Sequence, residues 1–260
     1  MNSVLKYSFY EMIRSRWLFF YTGFYLLVSV ALIMLSGDST KVLISLSNIT
    51  LGITPMVGIL FGTNYYYNSR EFIQLLLCQP ISRWKIFSAF YMGLAIALCL
   101  SIIVGIGLPL TFMGIFKSGN VSLFFILIAM ACMLSIIFSL LAFLIAVKFD
   151  NKVKGLSIAV LLWLFFAIIY DGLVLLTLLV LKDYPLDKLT ISLMLVNPID
   201  LARVLILLKL DISAMMGYTG AVLSKFIGKS LGSLLIALSL LLWTLIPMGI
   251  LRKILNSKDF

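Results

Sequence analysis

The sequence predicts an all-α membrane protein. Six transmembrane helices keep both chain ends in the cytoplasm, behind an N-terminal amphipathic elbow helix. Three observations lead there. Of 260 residues, 63% are hydrophobic and 12% charged, with a mean hydropathy of +1.17; a soluble domain has roughly 45–50% apolar and about 25% charged residues. Nearly uncharged runs, each long enough to cross a ~30 Å hydrocarbon core at 1.5 Å per residue, recur six times. The 20 Lys and Arg, set against 10 Asp and Glu, are distributed unevenly about those runs. The same composition excludes repeat solenoids and disordered chains.

In chain order, the elbow comes first, over 3–16. Leu5, Phe9, Met12, Ile13 and Trp17 recur at helical spacing, with Glu11 and Arg14 opposite. Lys6 and Arg16 intrude on the apolar side, where long stems let their charges snorkel. An interfacial helix on the inner leaflet and an ordinary juxtamembrane anchor both fit. The first span, 17–36, has too long an apolar run for a signal peptide and lacks a small-x-small site, so it reads as an uncleaved helix. Spans two (42–67), three (86–113), four (121–147) and six (230–251) carry no charge, and span five (155–181) carries only Asp171. The longer ones imply tilt or extension past the bilayer.

Orientation follows from the basic residues. With the N-terminus inside, the cytoplasmic side holds Lys6, Arg14, Arg16, Arg70, Arg83, Lys85, Lys148, Lys152, Lys154, Arg252, Lys253 and Lys258. The short outer loops hold Lys41 and Lys117. The remaining basic residues lie in the long segment 182–229, and long segments count little in this rule. The net charge of +10 therefore reads as membrane topology rather than as a nucleic-acid surface.

Two connections depart from simple linkers. Residues 68–85 read NSREFIQLLLCQPISRWK. A polar start (Arg70, Glu71) leads into Phe72, Ile73, Leu75, Leu76 and Leu77. Gln79-Pro80 then breaks the helix, since proline lacks an N–H and restricts its predecessor. Ser82 is placed to cap the next helix, which opens at Arg83. An apolar cytoplasmic knob of this kind fits a groove on a partner; the alternative is a leucine patch facing lipid. In segment 182–229, Asp183, Tyr184 and Pro185 form a turn. Asn197-Pro198-Ile199-Asp200 reads as a helix start, with Asn at the N-cap, Pro at N1 and an acid at N3. The helix places Leu201, Val204, Leu205 and Leu208 on one face and allows an Asp200–Arg203 pair at i,i+3. It is expected to be re-entrant or surface-lying, continued by Met215 to Tyr218, and to serve either as a gate or external docking surface or as plain packing.

Asp171 lies ten residues before Leu181, where the span ends, and a carboxylate within a span costs at least ~2.5–3.5 kcal/mol on insertion scales. No Lys, Arg or His occupies another span to pair with it. It is therefore expected to be protonated, to face water, or to meet polar groups at an interface, unless the helix ends early and places it among the outer headgroups.

Catalytic and metal chemistry are not expected of this chain. It has no histidine, hence no His-based general base and no HExxH site. Cys78, Cys99 and Cys132 form no CxxC, and the methionines read as packing residues. With no P-loop, nucleophile elbow or paired carboxylates, any ATP hydrolysis must come from another chain.

The arrangement of elbow, six spans, knob and insert resembles the ABC-2 type transporter permeases, and within them the NosY-like branch of nitrous oxide reductase maturation. The likeness is carried by Arg70-Glu71-Phe72 with Leu75-Leu76-Leu77, Gln79-Pro80-Ile81-Ser82-Arg83 and Tyr91-Met92-Gly93. It continues in Tyr170-Asp171 and in Asn197-Pro198-Ile199-Asp200-Leu201-Ala202-Arg203. The resemblance implies a homodimer in the inner membrane, each copy docked on a cytoplasmic ABC ATPase that binds ATP and Mg. It also implies a periplasmic β-helical (NosD-like) partner and a role in copper-site maturation. On that reading Arg70, Glu71, Phe72, Leu75, Leu76, Leu77, Gln79, Pro80 and Arg83 couple to the ATPase, and Asn197, Pro198, Asp200 and Arg203 form the outer partner or gate surface. The lack of histidine and of paired soft ligands favours a conformational relay at least as well as metal transport. Another ABC-2 exporter, an intramembrane enzyme built on Asp171, and an ATPase-independent scaffold are the competing readings.

Overall fold

The structure is a computed structural model that describes residues 2–117, 119–181, 187–209 and 230–257. Among these residues every regular element is helical: α1 (Asn2–Ile13), α2 (Arg16–Ser36), α3 (Ser39–Asn68), α4 (Arg70–Leu77), α5 (Arg83–Phe112), a 3₁₀ turn (Ile115–Lys117), α6 (Val121–Lys148), α7 (Lys152–Leu164), a π turn (Phe165–Ile169), α8 (Tyr170–Val180), α9 (Asp187–Val196), α10 (Pro198–Lys209) and α11 (Ser230–Ser257). Six helices are long and apolar enough to cross a membrane: α2, α3, α5, α6, the joined α7–α8 and the larger part of α11.

Several ends differ by a few residues from the charge gaps, because caps rather than charges set them. Gly37, at φ 60°, closes α2 by donating its N–H to the Ile33 carbonyl at 3.2 Å. Asp38 then accepts the Thr40 N–H at 3.0 Å, so α3 begins at Ser39 and includes Lys41. Asn151 caps α7 by accepting from Val153 and Lys154, which moves the start of the fifth span back to Lys152. The final helix carries Arg252 and Lys253 in its last turns. Ser82 precedes α5 in extended conformation, but its side chain makes no capping bond.

The core centres on α6, which packs against α3, α5, α7, α10 and α11. Lipid is as apolar as leucine, so helices within a bilayer associate through close packing rather than through water exclusion. Gly62 on α3 provides it: a Cβ there would lie 2.6 Å from Ala142 Cβ and 3.2 Å from the Ser139 carbonyl on α6. Around this contact, Phe87, Phe90, Phe138, Phe143, Leu94 and Leu98 are fully buried.

α1, which covers the expected elbow, is docked on the bundle. It lies along α5; of the stripe expected from spacing Met12 is buried and Leu5 and Phe9 are half-buried, while Ile13 and Trp17 are exposed and Ser8 is buried in their place. The Ser8 and Tyr65 hydroxyls lie 2.8 Å apart, and Tyr65 donates to Glu11 at 3.1 Å, drawing that acid inward. The chain turns extended at Ser15, so Trp17 belongs to α2, where it is 64% exposed. Gly93 permits the approach: a Cβ there would run into the Ser8 side chain and the Phe9 backbone.

The insert enters the fold. Tyr170, at the start of α8, donates to the Leu193 carbonyl near the end of α9, so α9 returns alongside the fifth span. α10 then packs on α6, α3 and α11. Its residues Ile199, Leu201, Ala202 and Ile206 are buried, so α10 packs into the bundle and forms with α9 a helical hairpin whose tip is Asn197-Pro198. The expected turn at 183–185 and the continuation through 215–218 lie outside the described residues.

Candidate functional site

Two clusters of predicted residues sit along the fifth span, one at its base and one just past its midpoint. At its base, α4 is the knob, and its strongly two-sided character decides which residues face outward. Ile73 and Leu76 are buried, while Glu71, Phe72, Gln74, Leu75, Cys78, Gln79 and Pro80 are exposed. Leu75 is 68% exposed, Leu77 is half-buried, and the Phe72 ring packs 4.8 Å from Tyr7. The outward surface is thus narrower than the five-residue apolar run: Leu76 belongs to the packing, and Leu75 stands out among polar neighbours.

Arg70 and Arg83 bracket the knob and turn toward the bundle. Arg70 donates to the Asp150 carbonyl and to its carboxylate, both at 2.9 Å. The Tyr67 hydroxyl donates to the Phe149 carbonyl, and Lys152 Nζ donates to Asn68 Oδ1 at 2.9 Å. Arg83 donates to the Leu255 carbonyl of α11 at 3.4 Å. Arg252 of that helix lies 5.8 Å from the centroid of the Trp84 ring. Both ends of the knob are therefore tied to span-ending backbone, one at the α6–α7 turn and the other at the close of α11.

From that turn α7 rises along α3, and Trp163 donates to the Gly52 carbonyl at 3.3 Å. The helix then widens into the π turn at Phe165–Ile169. A π turn adds one residue to a helix and frees a carbonyl. Asn197 supplies the missing donor, with Nδ2 2.9 Å from the Phe166 carbonyl. The same side chain accepts the Ile199 N–H at 3.0 Å as the N-cap of α10 and donates to Asp200 Oδ2 at 2.9 Å. One fully buried amide therefore satisfies the bulge, starts α10 and orients an acid.

Directly above the bulge, Arg203 Nη1 reaches Asp171 Oδ2 at 2.8 Å and Asp200 Oδ1 at 3.1 Å. No other span supplies a cation to Asp171; its partner comes from the insert, so the carboxylate meets a charged group where the helices pack. The local Asp200–Arg203 pair forms as its spacing implies. Arg203 and Asp171 keep about a third of their side-chain surface exposed (34% and 33%) toward an open cavity of about 180 Å³, which Leu178 and Met194 help to line. Burial first, and then the neighbouring Asp171 carboxylate, push the Asp200 carboxyl up to about 7, opposed by Arg203. Asp171 lies 17 residues beyond Lys154, about 25 Å along the axis at 1.5 Å per residue.

Sequence reasoning passed over Asp150, Tyr67 and the π turn. It also passed over the Met130-x-x-Met133 spacing around Cys132, whose carbonyl accepts from the Cys99 thiol at 3.8 Å. The α6–α7 turn had a legible signal, since an acid and a capping Asn sit among lysines at 148–154.

No family model matches the chain. It is 24% identical over 226 residues to the probable ABC transporter permease protein NosY of Stutzerimonas stutzeri, covering 79% of this chain and 81% of that protein. This relationship supports an ABC transporter permease. Together with six apolar helices it makes the chain a multi-pass membrane protein.

Proposed function

We propose that the chain is the permease subunit of an ABC-2 type transporter of the NosY-like branch. It works as a homodimer in the inner membrane, with each copy docked through its knob on a cytoplasmic ATPase that supplies the ATP and Mg chemistry. Glu71, Phe72, Leu75, Gln79 and Pro80 form the docking surface. Arg70 and Arg83 act behind it as links into the bundle, and the Asn197–Pro198–Asp200–Arg203 tip with Asp171 forms the outer gate or the contact for a periplasmic partner. In this reading the subunit serves maturation of the nitrous oxide reductase copper sites by relaying motion outward.

One observation carries the reading: the fifth span is gripped at its base and again just past its midpoint. At its base the Arg70–Asp150 contact fastens it to the knob, and at its bulge Asn197 and Arg203 fasten it to the hairpin tip. A push on α4 has a continuous packed path along α7 to the outer cluster, with the π turn as the place where the helix already departs from α geometry. The chain itself brings no nucleotide-binding motif.

The test is purification from native membranes with a tag on this chain. ATP hydrolysis is expected to copurify, and Leu75→Ser is expected to lower it at least tenfold while leaving the yield of folded permease unchanged. Wild-type protein that brings down no ATPase activity, or a Leu75→Ser protein that brings down the full amount, would remove the docking assignment.

A further inference from the structure

A groove of about 760 Å³ runs between α2 and α3, bounded by Trp17, Phe20, Gly23 and Leu27 on one side and by Met56 and Phe61 on the other. Its α2 wall is open: Trp17 is 64%, Phe20 73% and Leu27 68% exposed. The Trp17 and Phe61 rings meet edge-on across the two helices at 6.4 Å, at the end nearest the N-terminus. Gly23 deepens the groove, because a Cβ built there meets nothing within 4 Å. From Trp17 to Leu27 is ten residues, about 15 Å, or half of a ~30 Å core. The groove is one leaflet deep.

Two arginines precede the groove at the N-terminal end of its α2 wall. Arg16 lies one turn before Phe20 on the stripe that continues through Gly23 and Leu27, and Arg14 precedes it in the turn from α1. Both are exposed, and among the described residues no acid pairs with either. An apolar, aromatic slot of leaflet depth below two unpaired guanidinium groups matches an amphiphile with an acyl chain and an anionic phosphate head. A second copy fits this face poorly: a two-fold contact through it would bring a second Arg14 and Arg16 toward the first pair.

We propose that the α2–α3 groove is a binding site for an anionic phospholipid of the leaflet at the N-terminal end of α2. One acyl chain lies along Trp17, Phe20 and Gly23, and the phosphate sits between Arg14 and Arg16. The site is independent of the transport reading, since it rests only on the groove, its depth and its cations.

Trp17 reports on its own site. The protein is placed in phosphatidylcholine nanodiscs containing a minor fraction of either phosphatidylglycerol or phosphatidylcholine with brominated acyl chains. The quenching lost in Trp17→Phe isolates the signal of Trp17 from that of the other tryptophans. Brominated phosphatidylglycerol is expected to quench Trp17 at roughly one-fifth to one-tenth the concentration that brominated phosphatidylcholine needs, with the preference falling about fivefold for each of Arg14→Gln and Arg16→Gln. Gly23→Leu fills the slot without meeting protein and is expected to weaken quenching by both lipids at unchanged thermal stability. Equal quenching of the wild type by the two lipids would reduce the groove to ordinary lipid solvation. Shielding of Trp17 from both would assign the face to a second copy. Either result overturns the proposal.

Discussion

Arg203 holds two carboxylates that would otherwise repel each other, and that arrangement fixes how each member responds to substitution. Arg203→Met strands Asp171 and Asp200 together, partly out of water. It is expected to cost about 1–3 kcal/mol, less than the full penalty of a buried pair because Asp171 is one-third exposed. Asp171→Asn leaves an amide oxygen for the guanidinium and is expected to cost under about 1 kcal/mol. Thermal unfolding of the detergent-purified variants measures both, and equal costs would mean that Arg203 is not shared. Asp200 adds a pH dependence. Its folded-state pKa of about 7 stands above the ordinary 3.8, so the folded state holds the proton more tightly. The associated stability is complete below about pH 4 and is lost as pH rises through about 7. The melting temperature is expected to fall across that window in the wild type and to stay flat there in Asp200→Asn. The two contacts of Arg203 also mark what a sequence discloses at this scale. The Asp200 contact is local, three residues along one helix, and its spacing revealed it. The Asp171 partner lies 32 residues away in a different segment, and no periodicity connects them; a search for cations confined to the spans could not find it.

Among the elements, the six spans were legible because charge gaps and hydrophobic length act within a single segment. A helix end was read from its cap at Asn197-Pro198, whereas the Gly37-Asp38 cap went unread and charge gaps alone placed the start of α3 at 42 instead of Ser39. The π turn was not. Phe165-Phe166-Ala167-Ile168-Ile169 is as good an α-helical sequence as its neighbours, and what stabilises the wider turn is the Asn197 amide arriving from the hairpin tip at the Phe166 carbonyl. Asn197→Ala removes both the cap and that donor, and is expected to destabilise by about 2–4 kcal/mol, combining a lost N-cap with an unsatisfied buried carbonyl. Asn197→Ser keeps a capping oxygen but cannot reach the carbonyl as a donor, so it is expected to recover about 1 kcal/mol of that loss. Hydrogen exchange over residues 165–171 separates the two effects. Faster exchange there in both variants follows if Asn197 stabilises the bulge, whereas protection equal to wild type in the Ser variant would mean that the bulge stands without it. α4 teaches a related lesson about amphipathic segments. Its apolar run was plain in the sequence, but which leucine faces outward depends on α5 and α1, and Leu76 goes inward while Leu75 does not.

For the molecule as a whole, the question is whether the knob and the outer cluster are mechanically connected or only share a helix. The Arg70–Asp150 pair is where the two descriptions part. It is an exposed ion pair, its side chains 38% and 63% accessible, so it contributes at most about 1 kcal/mol to stability, and Arg70→Ala should leave the folded bundle almost unchanged. As the tie between α4 and the base of the fifth span, however, its loss should disconnect motion at one end from response at the other. A fluorophore on Leu175→Cys, in the exposed outer part of that span, reads the response once the exposed Cys78 is replaced by Ser. In complexes purified with their ATPase, the nucleotide-dependent change in this signal is expected to fall severalfold in Arg70→Ala at unchanged melting temperature. Arg70→Asp combined with Asp150→Arg should recover much of it, because the swap restores the charge contact while giving up the bond to the backbone carbonyl. A signal that survives Arg70→Ala intact would place the route elsewhere. One such route is the Arg83–Leu255 contact, which would carry motion through the last helix and bypass the π turn altogether.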